Sequence, residues 1–310
     1  MDAFILSELS GWAEAAILAP MGAMYATDWL ARRALVRESV EIVELVNFEN
    51  PFGLQDMIDD VSDLINCVSE PDLYGSLTKD NEILVVGPPQ SGKDTFLYYM
   101  AQKAGVRRVM SVYAPHNDAG LIHAIRFLDG GVWERTAQQI TKIRPTKTLL
   151  HLPGLNGEPS PLLEALIKAA RVRPHIMIGG TTTHYDRNGK VATLFGTVRT
   201  MPQGDDEDGL SKDYLRATAE GFLGKAKSAH FALSGFRDES EFIEPIVEQA
   251  INVSEIKDTL EHCQRRAIFE LQSRAKPDVH TAKEALKITP EIRDRALNRA
   301  ILGAKSPAVA

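Results

Sequence analysis

The sequence predicts an α/β fold, in which a parallel sheet with helices on both faces is followed by a small helical domain. Three observations predict it. Short apolar runs typical of buried strands alternate with helical segments between residues 82 and 183. A Gly/Pro-rich turn joins the first of these strands to a helix in EILVVGPPQSGKDT, which begins at Glu82. From about Glu241 onward the periodicity is helical, which indicates a second unit.

The expected elements of the first unit follow in order. Residues 1 to 46 are predicted to be mostly helical, up to the break NPFG at Asn50. A helix over LQDMIDDVSDLINCV precedes the strand EILVV, because its apolar residues recur at helical spacing. Further strands are expected at RRVMSVYA, KTLLHL and HIMIGGTTT. The helices between them are expected from Phe96 to Lys103 and at DAGLIHAIRFL and PLLEALIKAAR.

The second unit is predicted from its helix signals. VSEIKDTLEHCQRRAIFELQSR is one long amphipathic stretch. In ITPEIRDRALNRAIL, Thr289 is the expected N-cap, Pro290 the first helical residue and Gly303 the stop. We therefore divide the chain into an N-terminal helical segment (1–46), an α/β domain (47–205) and a linker with a helical domain (206–310).

Composition limits the possible functions. The chain has 310 residues, 44% of them hydrophobic, which is enough for one large or two modest domains. Its net charge of -7 argues against non-specific binding of nucleic acid, which requires a basic surface. Its two cysteines, Cys67 and Cys263, show no metal-binding spacing. Reduced, buried thiols in a reducing intracellular compartment are therefore expected.

The N-terminal segment contains an uncharged run, AAILAPMGAMYAT, that begins at Ala15. It is shorter than the roughly 20 residues that span a bilayer. Three arginines, Arg32, Arg33 and Arg37, follow it. Two interpretations remain open: a helix packed on protein, or a helix lying on a membrane surface through residues 3–37.

The turn after the first strand has the form of a phosphate-binding loop. Gly87, Gly92 and Lys93 satisfy the pattern G-x-x-x-x-G-K between a strand and a helix. Glycines let the backbone wrap closely, so that amide groups and the helix N-terminus point at phosphate oxygens. The expected nucleotide-binding residues of this loop are Gly87, Pro88, Pro89, Gln90, Ser91, Gly92, Lys93, Asp94 and Thr95.

Asp94 is unusual, because this position normally carries the hydroxyl that binds Mg²⁺. A carboxylate there can hold Mg²⁺ or repel the phosphates. Thr95 supplies a hydroxyl one residue later. Asp94 and Thr95 are therefore the candidate magnesium ligands, with ATP or ADP as the nucleotide.

With these motifs the chain resembles the AAA+ ATPase superfamily, and within it the AAA module of FtsH-type proteins. The stretch VNFENPFGLQDMIDDVSDLINCVSEPDLYGSLTKDNEILVVGPPQSGKDT is similar to the family's opening segment, first helix, first strand and Walker A loop. HIMIGGTTTHYDR resembles its sensor 1 strand, and ITPEIRDRALNRAILG the last helix of its lid.

The resemblance implies roles for further residues. The helical domain would be a lid, with nucleotide between it and the sheet. Phe52 and Gly53 would lie near the adenine, and Thr182 would stand at the sensor 1 position near the terminal phosphate. Arg199 would be the candidate arginine finger, with a surface arginine as the alternative.

The chain departs from the family at the strand TLLHLPGLNG. Active members end this strand with Asp and Glu, which orient Mg²⁺ and polarise the attacking water. Here Pro153 and Gly154 stand at those places, and Glu158 is the nearest carboxylate downstream. His151, within the strand, is interpreted as a packed or hydrogen-bonded histidine. The protease motif H-E-x-x-H does not occur, so the chain is not expected to be a protease.

Three functions follow as hypotheses. The first is a nucleotide-binding subunit, weakly active or inactive as an ATPase, that serves as scaffold or regulator in a larger assembly. The second is an active, divergent ATPase that remodels a protein partner, with Glu158 or a neighbour's residue completing the site. The third is a nucleotide kinase. Protein partners in a homo- or hetero-oligomer are expected in the first two.

Overall fold

A computed structural model of the chain describes residues 40–45, 48–70, 73, 81–113, 121–122, 124, 146–173, 175–184, 189–204, 209–274 and 286–302. The expected helix and surface contact of residues 3–37 lie outside these ranges. So do most of DAGLIHAIRFL and the expected helix stop at Gly303. Among the described helices, none combines the length and the apolar character needed to cross a bilayer.

The main sheet has six strands, and its predicted α/β class is confirmed. The strands are β1 (Val40–Glu44), β2 (Glu82–Val86), β3 (Arg108–Val112), β4 (Thr148–Leu152), β5 (Ile176–Thr182) and β6 (Thr197–Thr200). Their order is β1-β3-β4-β5-β2-β6. Strands β2 to β6 run parallel, whereas β1 pairs antiparallel with β3 at one edge. The phosphate-loop strand β2 thus lies inside the sheet.

Helices cover both faces of the sheet and form the second unit. They are α1 (Gln55–Asp59), α2 (Ser62–Ser69), α3 (Lys93–Lys103), α4 (Pro161–Arg171), α5 (Lys190–Thr193), α6 (Lys212–Ser228), α7 (Glu239–Gln249), α8 (Val253–Arg274) and α9 (Pro290–Leu297). A π-helical turn over Asn298–Leu302 continues α9. The short strands β7 (Ala232–Leu233) and β8 (Lys287–Ile288) pair in parallel beside these helices.

The structure corrects two predicted elements. Val40–Glu44 form an edge strand rather than the end of an N-terminal helix, because four of their five side chains remain exposed while the backbone pairs with β3. The single helix predicted over LQDMIDDVSDLINCV is two helices, α1 and α2. Among the described elements, the helices α5 and α6 and the strands β6, β7 and β8 were not predicted.

Alternation of side chains along the strands places two apolar cores on opposite faces of the sheet. Val109 and Leu149 pack in the core that contains α3, whereas Met110, Leu150 and Leu152 pack in the other. Every residue of β2, β4 and β5 is buried, as expected for central parallel strands. A side chain of β4 therefore contacts α3 only if it lies on the same face of the sheet as Leu149.

The N-terminus of α3 lacks the side-chain cap that α4 and α6 have. Ser160 accepts a hydrogen bond from the Leu163 amide, 3.2 Å away, and so caps α4. Ser211 caps α6 in the same way, 3.1 Å from the Tyr214 amide. At α3 the cap residue is Gly92, and no side chain caps the first turn. Its leading amide groups are therefore open to an external acceptor.

Neither cysteine is in a disulfide, and both side chains are buried. Cys263 lies on α8 within the core that contains α3, and its side chain is fully excluded from solvent. The expectation of reduced, buried thiols agrees with this arrangement.

Candidate functional site

A cavity of about 550 Å³ opens at the start of α3. Its walls come from the segment before α1, the phosphate loop, α6 and the start of α8. The residues from the segment before α1 and from the loop are Phe48, Glu49, Asn50, Pro51, Phe52, Gln90, Ser91, Gly92, Lys93, Asp94 and Thr95. Those from the helical unit are Tyr214, Thr218, Phe222, Lys225, Val253, Ser254 and Lys257. Sheet unit and helical unit together therefore enclose the candidate site.

Two residues of the loop have a left-handed backbone conformation. Gln90 and Gly92 have positive φ angles of 58° and 92°. At Gly87 a Cβ atom would come within 2.7 Å of the Met201 side chain. Glycine is needed at 87 for close packing and favoured at 92 for its left-handed conformation.

Lys93 folds back onto its own loop. Its Nζ donates to the carbonyl oxygens of Gly87, at 2.7 Å, and Pro88, at 2.6 Å. Partial burial lowers the pKa of the Lys93 ammonium, while the neighbouring Asp94 carboxylate raises it. A polyphosphate that enters the cradle would compete with these carbonyl groups for the ammonium.

Asp94 is held by a histidine from the sheet. Its Oδ1 lies 3.1 Å from Nε2 of His151, which is 2% exposed, whereas the Asp94 side chain is 58% exposed. The hydrogen bond from His151 is the main cause that lowers the pKa of Asp94. With the carboxylate ionised, Nε2 must carry the proton and donate it.

The other ring nitrogen of His151 is also occupied. Its Nδ1 lies 3.1 Å from both the Tyr98 and the Ser111 hydroxyl groups, either of which can donate to it. His151 is two residues after Leu149 on β4, so its side chain lies on the same face of the sheet, towards α3. Ser111 on β3 lies on this face as well. The packed, hydrogen-bonded histidine that the sequence predicted is confirmed. Its link to Asp94 was not predicted.

No carboxylate follows His151 at the end of β4. The strand ends at Leu152, and Pro153 and Gly154 come next. Gly154 has a φ angle of 67°, and its amide lies 3.4 Å from the Thr181 hydroxyl. Neither residue has a side chain that can bind a metal ion or activate water.

The far wall of the cavity is aromatic. The rings of Phe52 and Phe222 meet edge to face, with centroids 5.4 Å apart. The Lys225 ammonium lies 4.8 Å from the centre of the Phe52 ring and forms an ion pair with Glu49. Gly53 stands behind this wall against Tyr214 of α6, with a φ angle of 68°. Of the two residues expected near an adenine, Phe52 lines the cavity and Gly53 supports it.

The structure places Thr182 and Glu158 elsewhere. Both line a second cavity of about 420 Å³, together with Lys190, which is 3.4 Å from Glu158. The Thr182 hydroxyl lies 2.9 Å from Oδ1 of Asn156. Thr182 lies on the β5 face opposite α3, and the hydroxyl that interacts with Asp94 belongs to Thr181.

Arg199 of β6 interacts within its own chain. One Nη donates to the carbonyl oxygen of Asp60, at 3.2 Å, and its Nε lies 3.7 Å from the Asp60 carboxylate. The side chain is 34% exposed. This conformation turns the guanidinium towards the C-terminal end of α1.

Sequence reasoning missed the contribution of α6. The Tyr214 hydroxyl donates to the carbonyl oxygen of Ser91 in the loop, at 2.9 Å, and so joins the helical unit to the cradle. Burial raises the pKa of this phenol. Gly221 makes room for Phe52, since a Cβ there would meet the ring. A signal was present, because Tyr214, Thr218, Phe222 and Lys225 recur at helical spacing.

The residues at the start of α3 fit a magnesium ion only in part. Asp94 offers an ionised, half-exposed carboxylate, and Thr95 lines the same cavity. Mg²⁺ is often held by one or two carboxylates together with phosphate oxygens. Within the described ranges, however, no group of three or more His, Cys, Asp and Glu side chains is arranged to hold a metal ion. The site therefore fits Mg²⁺ if phosphates supply the remaining ligands.

Comparison with solved structures identifies the fold. The chain is similar to the FIGL-1 AAA domain, solved in complex with ADP, with a TM-score of 0.53 and 11% identity over 90% of this chain and 91% of that one. This chain has the AAA-domain fold. PCH-2 of C. elegans is also similar, with a TM-score of 0.41 and 12% identity over 86% of this chain and 74% of that one. No protein-family profile and no curated protein matches the sequence.

In this AAA-domain fold the phosphate loop, α3 and the helical unit meet at one cavity, as the family resemblance implied. Pro153 and Gly154 follow the end of β4.

Proposed function

We propose that this AAA-fold chain binds ATP or ADP in the cavity at the start of α3 and is weakly active or inactive as an ATPase. The observation that carries the second part is the end of β4, where Pro153 and Gly154 replace the two acids. Hydrolysis needs a group that orients Mg²⁺ and a group that activates water. Among the described residues that line the cavity, Asp94 can orient Mg²⁺. No carboxylate from β4 lines it to activate water.

Nucleotide binding is supported by the arrangement of the cavity. Uncapped amide groups of α3, the left-handed turn at Gly92 and the Lys93 ammonium converge on one side. The aromatic pair Phe52 and Phe222 forms the other side, where a purine can stack. A volume of about 550 Å³ is within the usual range for small-molecule sites. The similar FIGL-1 AAA domain was solved with ADP.

The proposed role is that of a scaffold or regulator in a larger assembly, through protein partners in a homo- or hetero-oligomer. A bound nucleotide stabilises a fold by mass action even without turnover, so a binding site can have a structural purpose. A closer relation to FtsH-type modules is part of this proposal, as is a reducing compartment, which suits two buried thiols without a disulfide.

A second candidate is an active, divergent ATPase that remodels a protein partner. The pair of Asp94 and His151 favours it, because a carboxylate and an imidazole 3.1 Å apart can share a proton beside the cradle. Against it, His151 is buried behind Asp94, with both ring nitrogens hydrogen-bonded. His151 could therefore accept a proton from an attacking water molecule only by way of the Asp94 carboxylate.

Calorimetric titration with ADP and ATP in excess Mg²⁺ tests the proposal. Wild-type protein should bind both, and Lys93→Ala should weaken binding by at least about tenfold, since a charge-assisted contact is lost. Lys168→Ala is the matched control, because that lysine is 69% exposed on α4, outside the cavity. Equal affinities of wild-type protein and Lys93→Ala would contradict the assigned site, and no binding by wild-type protein would contradict the proposal.

A further inference from the structure

Asp94 brings a negative charge to the place where phosphates are proposed to bind. It lies in the first turn of α3, directly after Lys93. The positive end of a helix attracts phosphates, and a carboxylate in the first turn offsets part of that attraction. Two negative groups a few ångström apart repel each other strongly where water is partly excluded. Metal-free nucleotide is therefore disfavoured at this loop.

The other charges of the described cavity wall do little to compensate. The wall contains three lysines, Lys93, Lys225 and Lys257, and two acids, Glu49 and Asp94. Lys225 is ion-paired with Glu49, Lys257 lies 3.9 Å from the Glu261 carboxylate, and Lys93 already donates to two loop carbonyl groups. A nucleoside diphosphate brings several negative charges into this cavity. A further cation is needed to balance them.

We infer that Asp94 makes nucleotide binding at this site dependent on a divalent cation, which its carboxylate binds together with phosphate oxygens. This inference rests on the proposed function. A carboxylate combined with phosphate oxygens is a common arrangement for Mg²⁺. The 58% exposure of Asp94 leaves room for such a contact, although Oδ1 already accepts from His151.

His151 is the positioning residue for this carboxylate. It is 2% exposed and fixed at Nδ1 by Tyr98 and Ser111, so its Nε2 holds Asp94 in one orientation. Hydrogen-bonded partners behind a ligating carboxylate fix its orientation and often change metal affinity. The sheet thus supports the metal-binding group from β4 through a histidine.

The two ligands are then thermodynamically linked: the factor by which Mg²⁺ tightens ADP binding equals the factor by which ADP tightens Mg²⁺ binding. Asp94→Asn removes both the repulsion and the metal ligand. We expect it to tighten metal-free binding and, at the same time, to abolish the response to Mg²⁺. A residue with a purely structural role would lower the affinity in both conditions.

The experiment measures ADP affinity by titration calorimetry in excess Mg²⁺ and in EDTA. Wild-type protein should bind ADP at least about tenfold more tightly with Mg²⁺, and Asp94→Asn should reduce that ratio to below about threefold. Asp213→Asn is the matched control, because Asp213 is also the second residue of its helix, α6, and is 94% exposed outside the cavity. It should keep the wild-type ratio.

His151 is tested by the same ratio. His151→Leu cannot donate to Asp94 and should lower the Mg²⁺ ratio, whereas His151→Gln retains a donor and should preserve most of it. Thermal melts establish that each variant is folded, and Asp94→Asn tests the inference even if a His151 variant is not. Equal wild-type affinity in Mg²⁺ and EDTA, or an unchanged ratio in Asp94→Asn, would overturn the inference and leave the proposed function standing. Absence of ADP binding in both buffers would overturn the proposed function itself.

Discussion

The ring of Phe52 lies against Gly221 of α6 so closely that a Cβ atom at position 221 would come within 2.1 Å of Phe52 Cγ. Gly221 therefore lets the segment before α1 pack on the helical unit. This contact also sets the position of Phe52 in the cavity wall, 5.4 Å from the Phe222 ring.

Gly221→Ala should move Phe52 out of place. Glycine-to-alanine changes within helices normally stabilise by up to about 1 kcal/mol. Here the added methyl group clashes, so we expect a loss of about 1–3 kcal/mol in the free energy of unfolding, and ADP binding weakened by about tenfold. Denaturant unfolding and calorimetric titration measure the two effects.

Gly224→Ala is the control for this change, because it lies on the same helix and a Cβ there meets nothing within 4 Å. It should be neutral or stabilising and should leave ADP affinity unchanged. Similar stabilities for the two variants would show that Phe52 does not need Gly221.

Tyr214→Phe should loosen the connection between α6 and the phosphate loop. The Tyr214 hydroxyl is buried and donates to the Ser91 carbonyl group at 2.9 Å. Its loss should lower the free energy of unfolding by about 1 kcal/mol, because the carbonyl group loses a buried donor. Urea unfolding of both proteins measures the difference. An unchanged unfolding midpoint would mean that water replaces the hydroxyl at no cost.

Arg171→Met should destabilise the start of β2. The carboxylate of Glu82 is 1% exposed and accepts two hydrogen bonds from Arg171, one at 2.8 Å. Without the guanidinium, a buried charge is left uncompensated, which costs about 3 kcal/mol.

The double variant Glu82→Gln with Arg171→Met should recover part of this loss, because the buried charge is then removed as well. Both effects are measured by denaturant unfolding. If Arg171→Met lowers the free energy of unfolding by less than about 0.5 kcal/mol, the prediction is wrong, because a loss that small is typical of an exposed surface ion pair.

Cys263 should resist thiol reagents in the folded protein. Burial raises the pKa of its thiol to about 12, so little thiolate exists at pH 8, whereas an unfolded thiol titrates near 8.5. Mass spectrometry after a short alkylation should find Cys263 modified only in denaturant. The same shift requires the free energy of unfolding to fall as the pH rises above about 8.5, because only the unfolded thiol then loses its proton. Rapid labelling of the native protein would contradict the buried position.

The sequence predicted the four inner strands of the sheet because each contains a short apolar run, and it predicted the loop because the glycine pattern is specific. The strand β1 was mistaken for helix, since VEIVE mixes charged and apolar residues and is stabilised by pairing with β3 at the sheet edge. The link between His151 and Asp94 depends on which sheet face α3 covers, and residue spacing along the chain does not give that face. The spacing of Phe222 and Lys225 places them on one face of a helix, but they reach the cavity only because α6 packs beside the loop, a tertiary contact that the spacing does not give.

The central claim is that this chain holds a nucleotide at Lys93 but lacks the acids after β4 that would split it. The most direct test measures steady-state ATP hydrolysis with Mg²⁺ in wild-type protein and Lys93→Ala, at concentrations that saturate the calorimetric binding site. We predict binding by wild-type protein with a hydrolysis rate that is low or absent and differs at most slightly between the two proteins. Robust, magnesium-dependent hydrolysis that disappears in Lys93→Ala would contradict the claim.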